Sequence, residues 1–523
     1  MSTSGINSLL SALNPSTGES LAELLGESST SSSTSASENA AVQDAVNAIL
    51  NAATNTAGSG IDVTSTVDAI LQIDAAPEVN LQNQVTALST QTSALQTIEN
   101  DLKALQTSVQ ALTDPIGAFS AVDVSSSNND VVSATAANGT ATGSHTIVVN
   151  SLATTSAWSS QAFTSETPLP TTGSFTITEG SNTATITMGQ AGTTDNLNDL
   201  AAYINEQDIG VRASVITQAS GAQVLSLVSQ TSGSAGVLSI TDSTGGGGGM
   251  GFTPATEEVN GNAVDLGTDA SLTVDGIPVT SGSNTVTGAI PGMTLTLSGV
   301  SASPVTLAVQ PDLTQVGTAI NNFVSAWNQV MTDINTQNTY SGTSGTTAPP
   351  LLGDPSLDLL QSKLLNAITT SLSGNNGLVN LQSIGIELQQ DGTLSVQSTS
   401  LYAEDGGLEQ LGLNDALSND FSAVQNLFQS ASSSSPGVAQ ALNTRLTALT
   451  NSVNGPMNVA MGSISSAVTD LNSQISDFQT QLQHTQTQLT AEYSTINTTL
   501  EQLPEMLASI NSQIDALNPT NTQ

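Results

Sequence analysis

Two histidines, no cysteine and 43 acidic side chains bound the acid–base, metal and thiolate chemistry open to this 523-residue chain. His145 stands beside a predicted strand and His484 on the polar side of a helical stripe, so both read as surface histidines rather than as parts of a metal cluster. Glu257-Glu258 and Glu404-Asp405 have the residue types of an acid and base pair. Glycoside hydrolysis, however, needs two carboxylates facing across a groove, and neighbouring acids in polar loops are ordinarily just solvated. Asp265, Asp269 and Asp275 lack the alternating ligands of a calcium loop. Gly246, Gly248 and Gly251 match the G-x-G-x-x-G spacing, but Phe252-Thr253-Pro254 follows where a nucleotide-binding helix would have to open. Neither Lys103 nor Lys363 sits in a phosphate loop, and the lack of cysteine removes thiolate chemistry and disulfides. The expectation is a chain with no catalytic residue, no cofactor and no metal.

Charge narrows the partners. Lys103, Lys363, Arg212 and Arg445 are the only basic side chains, and the formal net charge is −39. A phosphate backbone would be repelled, which excludes nucleic acid. Because only 9% of residues are charged, the acidity is spread thin and reads as a solubility trait suited to acidic or salty surroundings. No apolar run approaches the ~18 residues of a membrane span, so no membrane insertion is expected. The start MSTSGINSLLSALNPSTGES lacks the basic and apolar regions of a secretory signal. The chain either stays in the cytoplasm or leaves by a route that cleaves nothing.

What the sequence does carry is periodicity. Met461, Val468, Ile475, Leu482, Leu489, Ile496, Leu503, Ile510 and Leu517 recur every seven residues, with Ile464, Leu471 and Phe478 as a second row. That is a coiled-coil seam. From Thr485 onward the second row weakens, and apolar residues shift to Tyr493, Leu500, Leu507 and Ile514. A helix from Met461 to Leu503 would be roughly 60 Å long and needs a partner along its length. Pro504 predicts a kink or break. Leu81, Leu88, Leu95, Leu102 and Val109 form a second seven-residue series near the other end, flanked by Val85, Ile98, Leu105 and Leu112. Two long helices from opposite ends imply an elongated helical coiled-coil stalk, with everything else inserted at its far end.

The chain then divides as follows. Residues 1–57 form a low-complexity N-terminal extension, with a serine-rich patch at 27–36 and weak helical spacing at Ile6–Leu13 and Ala41–Leu50. Asp62 or Thr64 caps a helix beginning at Thr66, and Pro77 separates it from a long helix at about 78–112 that stops at Asp114-Pro115. Alternating apolar residues take over from Ala118, with strands around Val122, Val131 and Thr146–Val149. A helix at Asn196–Asn205, capped by Thr194 or Asp195, precedes strands near Val211, Val224 and Leu238. Asp275-Gly276 and Asp391-Gly392 read as hairpin turns. Helical spacing returns from Val316 to Val330 and near Phe421–Phe428. The fold class is α+β, with terminal coiled-coil segments at 58–85 and 486–523 and a helical stalk domain at 86–118 and 316–485. A β-rich head domain takes 119–165 and 258–315, and an outer head subdomain is inserted at 166–257.

An ordered set of segments resembles the flagellar filament-capping family, also called hook-associated protein 2 or FliD. Gly60-Ile61-Asp62-Val63 with the Pro77 helix is similar to the family's N-terminal region. Leu200-Ala201-Ala202-Tyr203-Ile204-Asn205 followed by Val211-Arg212-Ala213-Ser214-Val215 is similar to its head segment. Asp275-Gly276-Ile277, Ser283-Asn284-Thr285-Val286 and Ile290-Pro291-Gly292-Met293-Thr294-Leu295 resemble its most distinctive run. Trp327-Asn328, Leu351-Leu352-Gly353-Asp354, Ile384-Gly385-Ile386, Asp391-Gly392-Thr393-Leu394 and Leu489-Thr490-Ala491-Glu492-Tyr493 follow in the family's order. The resemblance spans about 58–517. The length of the segment before it and the scarcity of basic residues depart from the family pattern.

The resemblance implies a non-enzymatic protein exported, with an export chaperone, through the flagellar type III apparatus. It implies a ring of about five copies at the extracellular filament tip, whose legs contact flagellin, promote its insertion and stop its leakage. The seam at Leu81, Leu88, Leu95, Leu102, Val109, Val468, Ile475, Leu482, Leu489, Ile496 and Leu503 would then serve assembly. Apolar stripes with few charged flanks can exchange partners, because few ion pairs fix one register. The alternatives are another hook or filament component and a surface adhesin, the second permitted by an exposed β-rich head.

Overall fold

The computed structural model describes residues 62–517 apart from 165–168, 191–192, 194–195, 245–248, 255, 260–261, 266, 341, 343–346, 370, 403–407, 431 and 433–434. The expected extension at 1–57, the Gly60-Ile61 start, Gly246, Gly248 and the Glu404-Asp405 pair lie outside the described residues, as do the side chains of Glu257 and Glu258. The chain forms two compact units. One comprises Met1–Asn100, Thr336–Leu357 and Leu449–Gln523, the other Asp101–Asn335 and Asp358–Ala448.

Helix α1 (Val63–Asp74) begins three residues before the expected Thr66, because Asp62 is its cap and accepts a hydrogen bond from the Ser65 amide at 3.2 Å. Helix α2 (Ala76–Thr113) follows after a single non-helical residue. Pro77 lies in its first turn, where the missing N–H leaves no intrahelical bond unmade. The α2 chain stops at Asp114-Pro115, as the proline requires.

In the second unit, strands β1 (Val122–Ser126), β2 (Val132–Ala136) and β3 (Gly143–Ser151) open the sheet region, and β4 (Thr155–Ser159) leads out of it. Strands β5 (Ser174–Glu179), β6 (Asn182–Thr187), β7 (Val211–Thr217), β8 (Gln223–Ser232), β9 (Leu238–Asp242) and β10 (Thr253–Pro254) follow. Then come the β11 (Thr256–Val259) and β12 (Asn262–Asp265) ladder, β13 (Ala270–Val274), β14 (Ile277–Ser281), β15 (Thr285–Thr287), β16 (Met293–Leu297) and β17 (Val305–Pro311). A five-stranded antiparallel sheet, β1-β17-β3-β13-β14, packs on the three-stranded β15-β16-β2 around Val132, Ile147, Leu272, Leu295 and Leu307. Alternation on β16 buries Met293, Leu295 and Leu297 and leaves the threonines between them more open, as one covered sheet face demands.

A second core gathers β10-β4-β8-β7, β6-β5-β9 and helix α3 (Leu197–Asn205) around Phe175, Ile177, Ile186, Leu200, Ile204 and Leu225. The cap of α3 is Asn196, accepting from the Asp199 amide at 3.0 Å, and not Thr194 or Asp195. Asparagine three residues before Asp199 both accepts and donates, since its amide also donates to the Asp199 carboxylate at 2.7 Å.

The helices α4 (Leu313–Asn338) and α5 (Pro355–Ile368) come next, then strands β18 (Ile386–Leu388) and β19 (Leu394–Val396). Helices α6 (Leu413–Asn419), α7 (Phe421–Gln429) and α8 (Val438–Leu449) complete the series before the last helix. Buried Val316, Ile320, Phe323, Trp327, Val330 and Ile334 mark the core stripe of α4. Phe323 meets Phe428 edge-on at 6.5 Å, and Phe428 lies 5.7 Å from Phe119.

Helix α9 runs unbroken from Pro456 to Leu517, starting five residues before Met461. Pro504 stands inside it, so of the expected kink or break the break does not occur. Proline removes one donor, the bond toward the Leu500 carbonyl, while the turns on either side keep their own ladders.

Candidate assembly surface

Two hydrogen bonds set the pairing of α2 with α9. The Gln479 amide donates to Glu78 Oε1 at 2.6 Å, and the Asn458 amide donates to Glu99 Oε1 at 3.3 Å. The interval from Asn458 to Gln479 equals that from Glu78 to Glu99, three heptads each, so the helices run antiparallel in constant register. That register sets Leu81 across from Ser476, beside Ile475, Leu88 across from Thr469, beside Val468, and Leu95 across from Gly462, beside Met461. Helix α1 also packs on α9.

Burial along the seam is graded. Leu95 is fully buried, while Leu81, Leu88, Met461, Val468, Ile475, Leu482 and Leu489 are half-buried. Ile496, Leu503 and Ile510 are exposed, and Leu500, Met506 and Leu507 extend the same uncovered face. The reason is the length of the partner: the register brings Asp62, where α1 begins, opposite the stretch just before Ile496. Leu102 and Val109 are also fully buried, but they lie past the start of α9. They belong to the second unit, where the Gln106 amide reaches Thr447 Oγ1 on α8 at 3.3 Å and the Gln429 amide of α7 reaches the Leu112 carbonyl at 2.7 Å. One heptad series on α2 therefore serves two different packings.

Spacing gave no hint of one group on this helix. Asp101 Oδ2 is buried without a hydrogen-bond partner, and the same side chain faces Asp333 of α4, whose carboxylate accepts from the Gln329 amide at 3.1 Å. Burial, followed by the neighbouring Asp333 carboxylate, pushes the Asp101 carboxyl up to about 7. A protonated Asp101 can donate to Asp333, and the pair then shares one proton. Only a three-dimensional view reveals it, since the two acids are far apart in sequence.

On the sheet unit, Asp275-Gly276 forms the two-residue turn between β13 and β14, both residues at positive φ and Val274 paired with Ile277. The Asp275 carboxylate lies 2.8 Å from His145 Nδ1 and accepts from the Thr146 amide at 2.7 Å, which pins the turn to β3. The His145 hydrogen bond holds the Asp275 carboxyl below the usual carboxylate range. A cleft of about 200 Å³ opens here, walled by Val274, Ile277, Val279, Ala289, Ile290 and Pro291. It offers apolar contact and one histidine–aspartate pair, without a nucleophile, and its Ile277 wall is exposed.

Three asparagines within the recognised runs each bracket the backbone of one residue. Asn284 accepts from the Ala153 amide at 2.8 Å and donates to its carbonyl at 2.9 Å. Asn205 does the same to Ala213, at 2.7 and 3.0 Å, and Asn328 to Leu394, at 2.6 and 2.8 Å. Each side chain satisfies both backbone groups of one residue, as a neighbouring strand would. The second hairpin is also anchored from α4: Trp327 Nε1 donates to the Gly392 carbonyl at 2.9 Å and the Asn335 amide to the Asp391 carbonyl at 2.7 Å. Its turn is longer than Asp391-Gly392 alone, a three-residue loop with Gly392 in the left-handed region and the Gln389 amide bonded to the Thr393 carbonyl at 2.8 Å.

Nothing among the described residues groups three metal-ligating side chains, and none of the described helices is long and apolar enough to cross a membrane. The described residues carry a helical pair with an uncovered continuation in one unit and antiparallel sheets in the other. The family model for the N-terminus of flagellar hook-associated protein 2 matches residues 59–156, and that for its C-terminus matches 267–505, together more than half of the chain. B-type flagellar hook-associated protein 2 of Pseudomonas aeruginosa is 28% identical over 359 residues, which cover 64% of this chain and 70% of that protein. Flagellar hook-associated protein 2 of Escherichia coli is 26% identical over 359 residues, covering 66% of this chain and 76% of that one. A crystal structure of three domains of the Escherichia coli flagellar cap protein FliD superposes with a TM-score of 0.50 at 25% identity, covering 71% of this chain and 99% of that structure. The chain belongs to the flagellar hook-associated protein 2 family, the caps of the flagellar filament.

Proposed function

We propose that this chain works as a homo-oligomeric ring of about five copies, seated by closed rotational symmetry on the filament tip. There it would promote flagellin insertion and keep flagellin from leaking into the medium. The observation that carries the reading is the helical pair whose apolar face continues past its partner's end, from Ile496 to Ile510. A face of that kind is satisfied by further helices, and few charges along it fix one partner. We assign assembly to the seam residues Leu81, Leu88, Leu95, Leu102, Val109, Val468, Ile475, Leu482, Leu489, Ile496 and Leu503, with Leu102 and Val109 acting through the unit that α2 enters.

In this reading the terminal segments, 58–85 and 486–523, engage the filament. The stalk at 86–118 and 316–485, the head at 119–165 and 258–315 and the outer head at 166–257 hold the ring. The protein has a mechanical role and no reaction to catalyse. It reaches the extracellular tip unfolded, through the flagellar export apparatus with a chaperone and without a cleaved signal peptide; the absence of cysteine suits that passage. Electron microscopy of filaments from cells making a labelled copy tests the proposal. Label at distal ends alone, with flagellin spilling into the medium when the chain is deleted, is the expected result. Label along the shaft or at the cell surface would overturn it.

A further inference from the structure

We infer that the sheet core around Phe175 is clamped to the core around Leu272 and does not swing on it, the clamp being a polar junction built on Thr154, Gly233 and Asp269. The inference goes beyond the capping role: it concerns the isolated chain and needs no filament. The chain crosses between the two cores from β3 into β4 and, after β12, back into β13. Two bodies joined only by two linkers move relative to one another by default. Here the linkers are tied together. The Thr154 amide donates to the Thr268 carbonyl at 3.0 Å, and Thr154 Oγ1 accepts from the amides of Gly267 and Thr268 at 3.0 and 3.1 Å. One threonine thereby holds both crossings at the same level.

A third tie comes from the end of β8. The turn that follows it reaches back to the other core, where the Asp269 carboxylate accepts from the Ser234 amide at 2.6 Å and from the Ser234 hydroxyl at 3.1 Å. The Gly233 amide donates to the Thr154 carbonyl at 2.9 Å, and Ser232 Oγ donates to the Gly282 carbonyl, between β14 and β15, at 2.7 Å. Asn284, which brackets Ala153, fixes the residue just before Thr154. Gly233 stands at φ 78°, and a Cβ there would lie 2.5 Å from Asp269 Oδ1 and 2.6 Å from Gly282 Cα. Only glycine lets β8 end this close to the other core. Each bond is modest alone, so the clamp depends on their number. A core held at three chain segments presents its surface in one place before any partner arrives, which spares binding the cost of ordering it.

Because the chain has no cysteine, a pair of spin labels can be placed cleanly. Thr187→Cys on β6 and Thr296→Cys on β16 put one label on each core at exposed positions, and Thr280→Cys with Thr296→Cys is a control pair within one core. Dipolar distance measurement on the dilute full-length chain should give a single narrow distribution for the first pair. Asp269→Ala and Gly233→Val should each lose that narrow distribution and spread to a broad one, while the control pair stays narrow. Asp269→Asn, which keeps one accepting oxygen, should fall between. Where Gly233→Val also disturbs the control, Asp269→Ala decides, since it removes bonds without crowding. A broad distribution already present in the parent chain would overturn the inference. So would one as narrow in Asp269→Ala as in the parent.

Discussion

Two stretches of helix in this molecule share one sequence pattern and meet opposite fates. Leu95, Leu102 and Val109 of α2 are fully buried, while Ile496, Leu503 and Ile510 of α9 repeat at the same interval and stand exposed. A heptad records which face of a helix is apolar; what covers that face depends on where the partner starts and stops. On α2 the partner changes along the helix, and on α9 the described partner ends at Asp62. A seam that is covered contributes to folding. One that is left open is, in the reading we propose, available for assembly.

The largest expected effect breaks the covered stretch. Leu105→Ala, at a fully buried site, should cost about 2–5 kcal/mol in denaturant unfolding, since it removes apolar contact and leaves a cavity. Leu503→Ala should change stability by less than about 0.5 kcal/mol, because its side chain is already in water. Similar losses from both would erase the distinction.

A smaller effect is expected at the backbone brackets. Asn284→Ala strips the Ala153 amide and carbonyl of their partner, at about 1–3 kcal/mol, and Asn328→Ala does the same to Leu394. Both are measured as a lower unfolding midpoint. Neither should alter amide exchange along α9, which lies in the other unit.

Acid titration sharpens the comparison from within α2. The folded-state carboxyl of Asp101 is raised to about 7 from its ordinary 3.8, so folding takes up a proton between those values. Its contribution is fully present below about pH 3.8 and is lost as pH rises through about 7. Asp275, lowered by His145 and the Thr146 amide, works in the opposite sense: its contribution is present above the ordinary carboxylate value and lost as pH falls. Asp101→Asn should therefore flatten the stability profile between pH 4 and 7, read by thermal unfolding, and Asp275→Asn should flatten it on the acid side. An unchanged slope in Asp101→Asn would mean that Asp101 and Asp333 do not share a proton.

Much of this was legible in the sequence, and the reasons differ by element. The seam, the β region from Val122 and the Asp275-Gly276 turn were readable because periodicity and turn chemistry are local. The distinctive runs around Asn205, Asn284 and Asn328 were visible as patterns, yet their purpose was not, since each amide serves a backbone residue remote in the chain. Helices α5, α6 and α8 escaped notice because their apolar spacing is short and embedded in loops. Pro504 does not end the helix, as a proline in a solvent-facing turn removes one bond and leaves the flanking turns bonded. The Asp101–Asp333 pair had no sequence signal at all.

The gentlest probe is amide exchange in the dilute chain. Residues 95–112 should exchange at the rate of global unfolding, and residues 496–510 far faster, because even full burial of a thin stripe at roughly 1.5–3 kcal/mol per side chain falls short of about 1–2 kcal/mol per ordered backbone residue. Uniform deep protection along α9 would contradict that gradient.

The most direct test of the assignment of assembly to the helical seam is the paired substitution Ile475→Asp and Leu482→Asp. Both side chains lie half-buried on the face that α1 and α2 cover, where an unpaired carboxylate is costly. The sheet cores around Leu272 and Phe175 are separate and should stay folded. Cells making the variant should export flagellin but lose it to the medium as monomer, with few or no long filaments. Filaments of normal length, with the variant stably made and exported, would contradict the account.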